Sequence, residues 1–553
     1  MNKHDKRLDN APFRFLGYDD GIFFYLPDGV GQIVPLTAGS HRDLQLLAIA
    51  PLYWWTEHFE KENKDGSVSC NWKAAADAVI QESKLAGVYN PSKVRGRGAW
   101  IDEGRVILHL GDRVVFSGET IAIDDWQTKF IYQIGQILAW ENVKPLPHGD
   151  DDGMPGSAQL LRLCEMLPWK HAMSAKLFAG WCALAPICGV LSWRPHIWVS
   201  GPAGSGKSYT LTNVVEPLLG STMLAVQSAT TEAGIRQKLK SDALPVMFDE
   251  AESEDQRSQS RIQGILELAR QASSENGAGI IKGTTSGVSM EFKIRSMFCF
   301  ASIGVATVNE ADKSRCTVLE FYKRNDVAAF DALKRLWAVT IGADGFTAGI
   351  RARSLSLALT IKDNAASFTK ACALRLGDQR AGDQIGTLLA GAFSLTSTRT
   401  VTLEEATGII ADYDWTMFEK AMSDADEWKC WNRLIDAQIR VKDVNGVDSY
   451  SIGELIFVAR QSSIDPTSLN ARGVLRRTGI DITSKSIYIA CSSTHAELAK
   501  IFNGTAFSGK WKEYLQRLPD AKYISSWKFI ANHRAVSVPL DILDSTPRNI
   551  EQD

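Results

Sequence analysis

The sequence predicts an α/β protein with a parallel central sheet and additional domains on both sides of it. Between about residues 197 and 321, short apolar segments with the composition of strands alternate with helical segments, a pattern typical of parallel sheets. A glycine-rich turn, 201–206, follows the first of these strands and precedes a helix. The length of 553 residues leaves room for about three or four domains of ordinary size.

The composition is that of an ordinary folded protein. Hydrophobic residues make up 45% and charged residues 23%, which excludes a disordered, collagenous or coiled-coil chain. With 61 Lys and Arg against 64 Asp and Glu, the formal charge of −3 excludes a uniformly basic nucleic-acid coat but leaves room for a local basic surface. The nine cysteines form no Cys-x-x-Cys motif and no Cys/His cluster, so we predict neither a disulfide framework nor a zinc site, and a reducing compartment.

No segment predicts export or a membrane span. The first seven residues are rich in charge, and no apolar stretch follows them as it does in a signal peptide. Residues 177–193 are uncharged, but they only reach the minimum length for a span, about 17–20 residues, and they contain Pro186 and Gly189. We therefore predict a buried helix and turn there, a protein with no membrane partner, and a cytoplasmic location.

An α+β domain is predicted for residues 1–155. Aromatic and aliphatic runs separated by Asp-Gly turns at 13–36 are typical of hairpins, and helical periodicity follows at 43–58 and 72–84. A stretch rich in proline, glycine and aspartate, 145–156, is the clearest linker in the chain. We therefore place a domain boundary near residue 155.

Residues 156–325 form the predicted core. A helix that ends near Cys188 leads into it, and strands then alternate with helices. The predicted strands are 197–200, 223–226, 245–248, 296–301 and 317–321. The predicted helices among them are 208–219, 231–239 and 259–272. Strands that are separated by helices in this way form a parallel sheet.

Two further domains are predicted after the core. Residues 326–430 are rich in alanine and leucine and have few turn signals, which is typical of a helical lid. Residues 431–553 contain helices near 452–461 and 466–477, and the segment 480–490 then predicts a two-stranded wing. A winged-helix-like C-terminal domain is therefore expected.

The strongest motif is a complete G-x-x-x-x-G-K-[ST] sequence between the first core strand and the helix after it. Its glycines let the backbone curl so that N–H groups point at phosphate oxygens, and the helix N-terminus adds its positive end. Lys207 would reach the β- and γ-phosphates, and the Ser208 hydroxyl would bind Mg²⁺. The predicted nucleotide-binding residues are Gly201, Pro202, Ala203, Gly204, Ser205, Gly206, Lys207, Ser208 and Tyr209. The alternative is a glycine-rich turn that contains a lysine by chance.

Two adjacent carboxylates follow an apolar strand downstream of this motif. Asp249 would hold Mg²⁺, while Glu250 would orient or deprotonate the attacking water, so hydrolysis is a stronger prediction than binding alone. The alternative is a strand that ends in a solvated acidic turn, because Glu252, Glu254 and Asp255 follow.

Two polar residues extend the pattern. Ser302 ends a strand, where a hydroxyl could sense the γ-phosphate or its water, and the alternative is a plain end of a core strand. Arg315 precedes the strand that starts at Cys316. An arginine there could project from a subunit edge into a neighbour's site and stabilise the transition state, and the alternative is a surface arginine. Catalytic roles are therefore predicted for Lys207, Glu250, Ser302 and Arg315.

In this order, the P-loop, the Asp249–Glu250 pair, the polar strand end and the arginine resemble the core of an AAA+ ATPase. Further segments are similar to a family of phage, prophage and plasmid helicase-like ATPases related to superfamily 3 helicases. These segments are Phe15–Asp19, Arg95–Trp100, His109–Asp112, Thr230–Gln237, Phe248–Glu252, Lys282–Gly287 and Gly382–Ala390. The resemblance covers most of the chain.

The resemblance implies a homo-oligomeric ring, expected to be a hexamer, with ATP and Mg²⁺ bound between subunits and single-stranded DNA in the pore. It makes Arg315 the trans-acting finger and Arg380 the lid arginine that contacts phosphate in cis, a role for which Arg351 and Arg353 compete. It also implies the cytoplasm of a bacterial host cell, with a primase or another replication protein as a further partner. Many relatives carry a primase, but this sequence contains no convincing primase metal-carboxylate set or zinc ribbon.

Two segments predict contacts with nucleic acid. Residues 280–295 have two strand-like arms around a Gly/Ser/Thr tip, which resembles the pre-sensor hairpin of ring helicases, and Lys282 and Lys293 could contact phosphate there. The segment 472–534 has eleven basic and four acidic residues with interleaved aromatics. Its candidates near the second helix are Arg472, Arg476 and Arg477. For the hairpin, the alternative is a surface hairpin with solvated lysines, and for the segment 472–534 it is a helical interaction domain. The loop 95–98 is a third, weaker candidate for contact with nucleic acid.

The predicted function is an ATP-dependent, ring-forming helicase or translocase on single-stranded DNA in phage or mobile-element replication. The alternative is an AAA+ switch that uses ATP to load or remodel a protein partner. Both share every nucleotide motif and differ in the hairpin and the basic tail. A small-molecule P-loop kinase is a further alternative, against which the Asp249–Glu250 pair and Arg315 argue.

Overall fold

A computed structural model describes most of the chain. The described residues are 5–149, 155–227, 229–249, 256–275, 280–283, 289–305, 315–418, 426–443, 446–461, 470–492, 495–503, 505 and 507–543. The chain divides into two compact units, Met1–Asp414 and Trp415–Asp553, and each is considered by itself. Within the described ranges, every helix is too short or too polar to cross a membrane.

Small, mostly antiparallel sheets and three helices make up the first part of the first unit. Its strands are β1 (Phe13–Asp19), β2 (Ile22–Pro27), β3 (Val34–Thr37), β4 (Glu60–Glu62), β5 (Val68–Cys70), β6 (Val94–Arg95), β7 (Gly98–Asp102), β8 (Arg105–His109), β9 (Arg113–Phe116), β10 (Glu119–Ala122) and β11 (Ile131–Tyr132). Its helices are α1 (Asp43–Leu46), α2 (Leu52–His58) and α3 (Trp72–Leu85). Strands β1–β3 form one antiparallel sheet and β7–β10 another. The hairpins and helices predicted at 13–84 are confirmed.

The loop around Arg97 joins this part to the central sheet. Arg97 donates from Nε to Oδ2 of Asp242 at 2.9 Å, and its backbone N–H donates to Oδ1 at 2.7 Å. Gly98 has φ +115° and lies too close to the carbonyl oxygen of Ala243 to carry a Cβ atom. The Arg97 guanidinium therefore holds two parts of the unit together, which corrects its interpretation as a weaker nucleic-acid contact.

Five parallel strands form the central sheet, and a separate antiparallel hairpin is inserted before the fourth of them. The strands of this region are β12 (His196–Ser200), β13 (Leu224–Val226), β14 (Val246–Phe248), β15 (Ile280–Gly283), β16 (Ser289–Phe292), β17 (Phe298–Ser302) and β18 (Cys316–Glu320). The helices are α4 (Ala158–Glu165), α5 (Met173–Leu184), α6 (Lys207–Thr210), α7 (Glu216–Leu219), α8 (Glu232–Leu239) and α9 (Gln256–Ala272). The order in the sheet is β13-β14-β17-β12-β18, with every neighbouring pair parallel. The predicted parallel α/β sheet is confirmed.

The strand order decides which residues share an edge of the sheet. Every residue of β12, β14 and β17 is buried, as expected for parallel strands that helices cover on both faces. Because all five strands are parallel, the residues that follow β12, β14, β17 and β18 lie along one edge, the carboxyl edge. Open parallel sheets bind their ligands at this edge.

Five helices complete the first unit. They are α10 (Val327–Thr340), α11 (Phe346–Ser356), α12 (Ala358–Leu376), α13 (Gln379–Ser394) and α14 (Leu403–Ala411). Asp378 caps α13 by accepting the N–H of Ala381 at 2.7 Å, and Thr402 with Glu405 forms a capping box at the start of α14. The helical character predicted from residue 326 is confirmed over these ranges.

The second unit combines helices with a four-stranded antiparallel sheet. Its helices are α15 (Asp426–Ile435), α16 (Ile452–Gln461), α17 (Ala471–Thr478), α18 (Ala496–Phe502) and α19 (Trp511–Leu515). Its strands are β19 (Gln438–Asp443), β20 (Gly446–Ser451), β21 (Ile480–Ile482), β22 (Ser486–Ala490), β23 (Lys522–Lys528) and β24 (Asn532–Pro539). The sheet order is β21-β22-β24-β23. The predicted pair β21–β22 exists, but it is not a free two-stranded wing, because β24 pairs with the other edge of β22.

Candidate functional site

The P-loop has the backbone that its glycines predict. Gly201, Gly204 and Gly206 have φ angles of +152°, +75° and +95°, which lie in the region that favours glycine. Gly206 directly precedes α6, so the loop ends at a helix N-terminus. The Lys207 ammonium is half-buried and donates to the carbonyl oxygens of Gly201 at 2.7 Å and Pro202 at 3.1 Å. The loop therefore combines oriented N–H groups with a cation at its mouth.

The Ser205 side chain indicates that this loop suits an anion. Ser205 is 5% exposed, and its hydroxyl has no hydrogen-bond partner among the described residues. A buried hydroxyl without a partner is costly, whereas a phosphate oxygen would accept its hydrogen. The neighbouring Ser208 is exposed at the start of α6, where its hydroxyl is accessible to a hydrated cation. The residues of the loop thus fit a nucleotide phosphate.

A cavity of 450 Å³ adjoins the P-loop. Gly204 and Gly206 lie on one side of it, and Tyr209 packs on two aromatic rings of α10, with centroids 4.5 Å from Trp337 and 5.4 Å from Phe330. The remaining apolar wall includes Met166, Leu167, Pro168 and Leu333. A volume of this size with aromatic walls suits a purine-sized group next to the phosphates. Tyr209, predicted as a nucleotide contact, belongs to this wall.

Arg324 is a residue that the sequence argument missed. It follows β18, and it lines the same cavity as Gly204 and Gly206. Its Nη1 donates to Met166 O at 3.4 Å, and the side chain is exposed. Its position just after a strand of the parallel sheet could have indicated this role. The carboxyl ends of parallel strands lie along one edge of the sheet, and the P-loop lies at the same edge. Arg324 is therefore the arginine that the structure brings to the P-loop cavity within one chain.

The predicted metal ligands approach the carboxyl edge from different strands. Asp249 follows β14, is half-buried, and donates its backbone N–H to Val226 O at 3.2 Å. It lines a second cavity of 620 Å³ with Thr212 and Glu216. Glu250 lies outside the described residues. Where the structure is described, no group of three or more His, Cys, Asp or Glu could hold a metal, so Mg²⁺ at Ser208 and Asp249 stays a prediction that rests on their oxygen chemistry.

Ser302 is occupied by contacts inside the protein. It is 2% exposed, accepts a hydrogen bond from the Trp198 indole N–H at 2.6 Å and donates to the carbonyl oxygen of Gly304. Its hydroxyl thus joins β12 to the end of β17. These contacts match the alternative of a core strand end more closely than a hydroxyl that is free to sense phosphate.

Arg315 lies at the amino edge of the sheet, opposite its own P-loop. It precedes β18, and the next residue, Cys316, pairs with His196 at the start of β12. The pKa of His196 is lowered to about 3, chiefly by burial and also by the nearby charges of Arg194 and Arg315. Since β12 is five residues long, about 15 Å separates this edge from the P-loop edge. A role for Arg315 at a nucleotide would therefore require a neighbouring subunit, and this role stays a prediction.

Arg380 does not line the P-loop cavity. It is exposed on α13, one turn before Gln384. The Gln384 amide donates to His196 O at 2.6 Å and to Thr317 Oγ1 at 3.0 Å, both at the amino edge. This part of α13 therefore packs at the edge opposite the P-loop, which corrects the prediction that Arg380 contacts phosphate in cis.

The two competing lid arginines are also held by other groups. Arg351 is 7% exposed and donates to Leu218 O at 2.7 Å. Arg353 is 4% exposed and donates to the carbonyl oxygens of Ser394 at 2.8 Å and Leu146 at 2.7 Å. Their guanidinium groups satisfy buried carbonyls and are not presented to a ligand.

The predicted hairpin exists, but its two lysines differ in environment. Lys282 in β15 is the backbone partner of Met290 in β16, and the Lys282 side chain lies outside the described part of the structure. The Lys293 ammonium lies 3.0 Å from Glu275, which also binds Arg194 at 2.6 Å and Arg295 at 3.0 Å. Lys293 is thus part of an ion-pair cluster at the base of the hairpin, and its contact with phosphate stays a prediction.

The three predicted arginines of the second unit lie on α17. Arg472 and Arg476 both bind the Asp481 carboxylate, at 3.2 and 3.1 Å. Arg477 is exposed, and its Nε donates to Gly473 O at 3.3 Å. Asp481 of β21 therefore binds Arg472 and Arg476, whereas Arg477 donates to a carbonyl of its own helix.

Comparisons with known proteins gave matches only among solved structures. No protein-family model and no curated protein matches the chain. One similar structure is SCCmec type IV Cch, an active helicase, at 11% identity and a TM-score of 0.41, over 96% of this chain and 94% of that chain. Another is the apo form of the NrS-1 C-terminal region, at 13% identity and a TM-score of 0.30, over 81% of this chain and 97% of that chain. At these identities and TM-scores, the likeness does not establish a function for this chain.

Proposed function

We propose that the protein is an ATP-dependent, ring-forming helicase or translocase that acts on single-stranded DNA in phage or mobile-element replication. The observation that carries the nucleotide part is the P-loop, with three glycines at positive φ, the Lys207 ammonium at its mouth and the unpartnered Ser205 hydroxyl. The adjoining 450 Å³ cavity suits the base and sugar of ATP.

An AAA+ core with a helical lid is the fold that this proposal assumes. In support of it, β17 lies between the P-loop strand β12 and the Asp249 strand β14, and the three share one carboxyl edge. Bound Mg²⁺ would neutralise phosphate charge, with Ser208 and Asp249 as its protein ligands. Glu250, next to Asp249, would orient the attacking water.

A ring is proposed because of where Arg315 lies. The residue is at the edge opposite its own P-loop, so a role in hydrolysis requires a second subunit that presents its P-loop to it. A homo-oligomer, for which we propose a hexamer, supplies that arrangement.

The inserted hairpin β15–β16 supports a nucleic-acid substrate. It is an antiparallel pair between α9 and β17, outside the central sheet, and it carries Lys282 on one strand. Its base is held by the ion pairs of Glu275 with Arg194 on the β12 side and Arg295 on the β17 side. A hairpin anchored to the P-loop strand in this way could move with the nucleotide site.

Strand displacement with the Lys207→Ala variant tests the proposal. The wild-type protein should separate forked DNA in the presence of ATP and Mg²⁺, and Lys207→Ala should lose both nucleotide binding and unwinding, because the loop loses its only cation. A wild-type protein that hydrolyses ATP without separating strands would favour an AAA+ switch that loads or remodels a protein partner. Absence of any ATP binding would contradict the nucleotide site as well.

Lys282→Ala should weaken the stimulation of ATP turnover by single-stranded DNA by about fivefold while turnover without DNA is unchanged. The reason is that one phosphate contact on the hairpin would be lost. Phosphate release is measured across a DNA titration, with Lys370→Ala, a lysine on α12, as the control. Unchanged stimulation would remove the hairpin from the nucleic-acid interface.

A further inference from the structure

The outer face of the sheet in the second unit has a distinct composition. Along β21, β22 and β24, isoleucines and valines alternate with other residues, and these apolar side chains form the buried core with the helices. On the other face, Asp481 pairs with Tyr488, Tyr488 with Ser537 and Ser537 with Lys522, so four residues form a row across the strands. We call this row and the side chains packed on it the outer sheet face.

Asp481 is the centre of a hydrogen-bonded group on this face. It accepts from Arg472 Nε at 3.2 Å, from Arg476 Nη2 at 3.1 Å and from Trp527 Nε1 at 3.2 Å. The Asp481 side chain is 2% exposed, whereas those of Arg472 and Arg476 are 52% and 41% exposed. The single carboxylate of the row is therefore hidden beneath two arginines, and the solvent meets positive charge.

An aromatic pair lies beside the arginines. The rings of Tyr488 and Trp527 are stacked with centroids 3.4 Å apart and an angle of 6° between their planes, and both side chains are half-buried. The indole is fixed from its other end by the hydrogen bond to Asp481. A rigid aromatic pair that solvent reaches in part, next to guanidinium groups, offers both a surface for bases and donors for phosphate.

We propose that the outer sheet face binds single-stranded DNA, with Arg472 and Arg476 on phosphates, the Tyr488–Trp527 pair against bases and Asp481 as the positioning residue. The choice of nucleic acid as the ligand rests on the proposed function. A single strand fits better than a duplex because aromatic stacking requires unpaired bases. Arginines that read base edges in a major groove must reach freely into the groove, whereas Asp481 holds these two against the sheet.

Binding of a fluorescein-labelled oligo(dT) to the full chain, without nucleotide, tests the arginines. The Arg472→Ala/Arg476→Ala variant should bind about tenfold more weakly or worse, and the salt dependence of log K should fall by about 1.4 for two lost phosphate contacts. The matched control is Lys429→Ala/Lys500→Ala, which removes the same charge from α15 and α18 on the helical side. Equal losses in both double variants would overturn the proposal, because they would indicate a general charge effect.

Two single substitutions separate stacking and positioning from net charge. Tyr488→Phe should bind as the wild type does, while Tyr488→Leu should bind about tenfold more weakly. Asp481→Asn adds one positive charge to the face, so simple electrostatics predicts tighter binding. If Asp481 positions the arginines, this variant should bind more weakly in spite of the added charge. Tighter binding by Asp481→Asn, or equal binding by Tyr488→Leu and Tyr488→Phe, would contradict the proposed site.

The same measurements distinguish this proposal from the proposed motor function. All of these variants should keep the ATP turnover that the wild type has without DNA. A protein that hydrolyses ATP and unwinds DNA, but binds oligo(dT) equally well after loss of both arginines, would overturn only the outer sheet face. A protein without ATP turnover whose binding is lost in the arginine variant would overturn only the motor. Preferential binding of duplex by the wild type would contradict a single-strand site.

Discussion

Replacing Arg315 by alanine should slow ATP turnover by about 10³-fold or more while nucleotide affinity changes little. The backbone of Arg315 lies at the amino edge of the sheet, the length of β12 or about 15 Å from its own P-loop, so a role in stabilising transition-state charge requires an adjacent subunit. Steady-state phosphate release measures turnover, and binding of a fluorescent ATP analogue measures affinity. Arg399→Ala, which removes an exposed arginine paired with Glu405, is the control and should turn over ATP normally.

Mixing two inactive variants gives the sharper form of this experiment. In a mixed ring, an Arg315→Ala subunit keeps an intact P-loop, and a neighbouring Lys207→Ala subunit keeps an intact Arg315. An interface between the intact P-loop of one subunit and the intact Arg315 of its neighbour should recover ATP turnover, although each variant alone is inactive. If mixing restores nothing while both variants assemble normally, Arg315 has no role between subunits, and the proposal of composite sites fails.

Glu250→Gln should lower ATP turnover by about 10²–10⁴-fold and leave ATP bound to the protein. The amide has nearly the same shape as the carboxylate but cannot take a proton from the attacking water, so chemistry should fail after binding. Asp249, the residue before it, follows β14 at the carboxyl edge of the sheet, the edge that also carries the P-loop. Single-turnover hydrolysis and retention of labelled ATP on a filter measure the two steps separately.

Glu267→Gln is the matched control for this substitution. Glu267 is an exposed carboxylate on α9, and its replacement should leave both binding and turnover unchanged. Glu250→Gln with normal turnover would assign the carboxylate to the solvated acidic turn that the sequence also allows. Loss of ATP binding in this variant would instead indicate that Glu250 supports the shape of the site.

Features encoded by neighbouring residues could be predicted from the sequence. The P-loop is one, because glycines at 201, 204 and 206 permit the positive φ angles that its curvature requires. The inner strands β12, β14 and β17 of the central sheet are another, since continuous apolar runs are needed where helices cover both faces. The hairpin β15–β16 also follows from a local pattern of two arms around a small, polar tip.

The partners of charged side chains could not be predicted in this way. Arg97 was grouped with nucleic-acid contacts because it is basic, yet its carboxylate, Asp242, lies 145 residues further along the chain. Lys293 was expected on a pore-facing hairpin, but Glu275 binds it together with Arg194 and Arg295. A count of charges along the sequence cannot distinguish a cation that is paired in space from one that is available to a ligand.

The sequence also could not predict which strands have a free edge, because the neighbouring strand in a sheet can come from a distant part of the chain. The segment 480–490 does form two paired strands, but whether the second has a free edge depends on β24, more than forty residues later. Arg324 and Arg380 illustrate the point at the nucleotide site. The family resemblance pointed to Arg380, but α13 packs at the amino edge of the sheet, and the chain after β18 brings Arg324 to the P-loop cavity instead.

The sequence by itself determined that this protein has a P-loop, a parallel sheet to carry it, and two carboxylates, Asp249 and Glu250, after a neighbouring strand. These features depend on backbone preferences and apolar runs within a few residues of each other. The tertiary structure decided which cations remain available to ligands, because burial and ion pairing join residues that are distant in the sequence. It placed Arg315 opposite its own P-loop, and it hid Asp481 beneath Arg472 and Arg476.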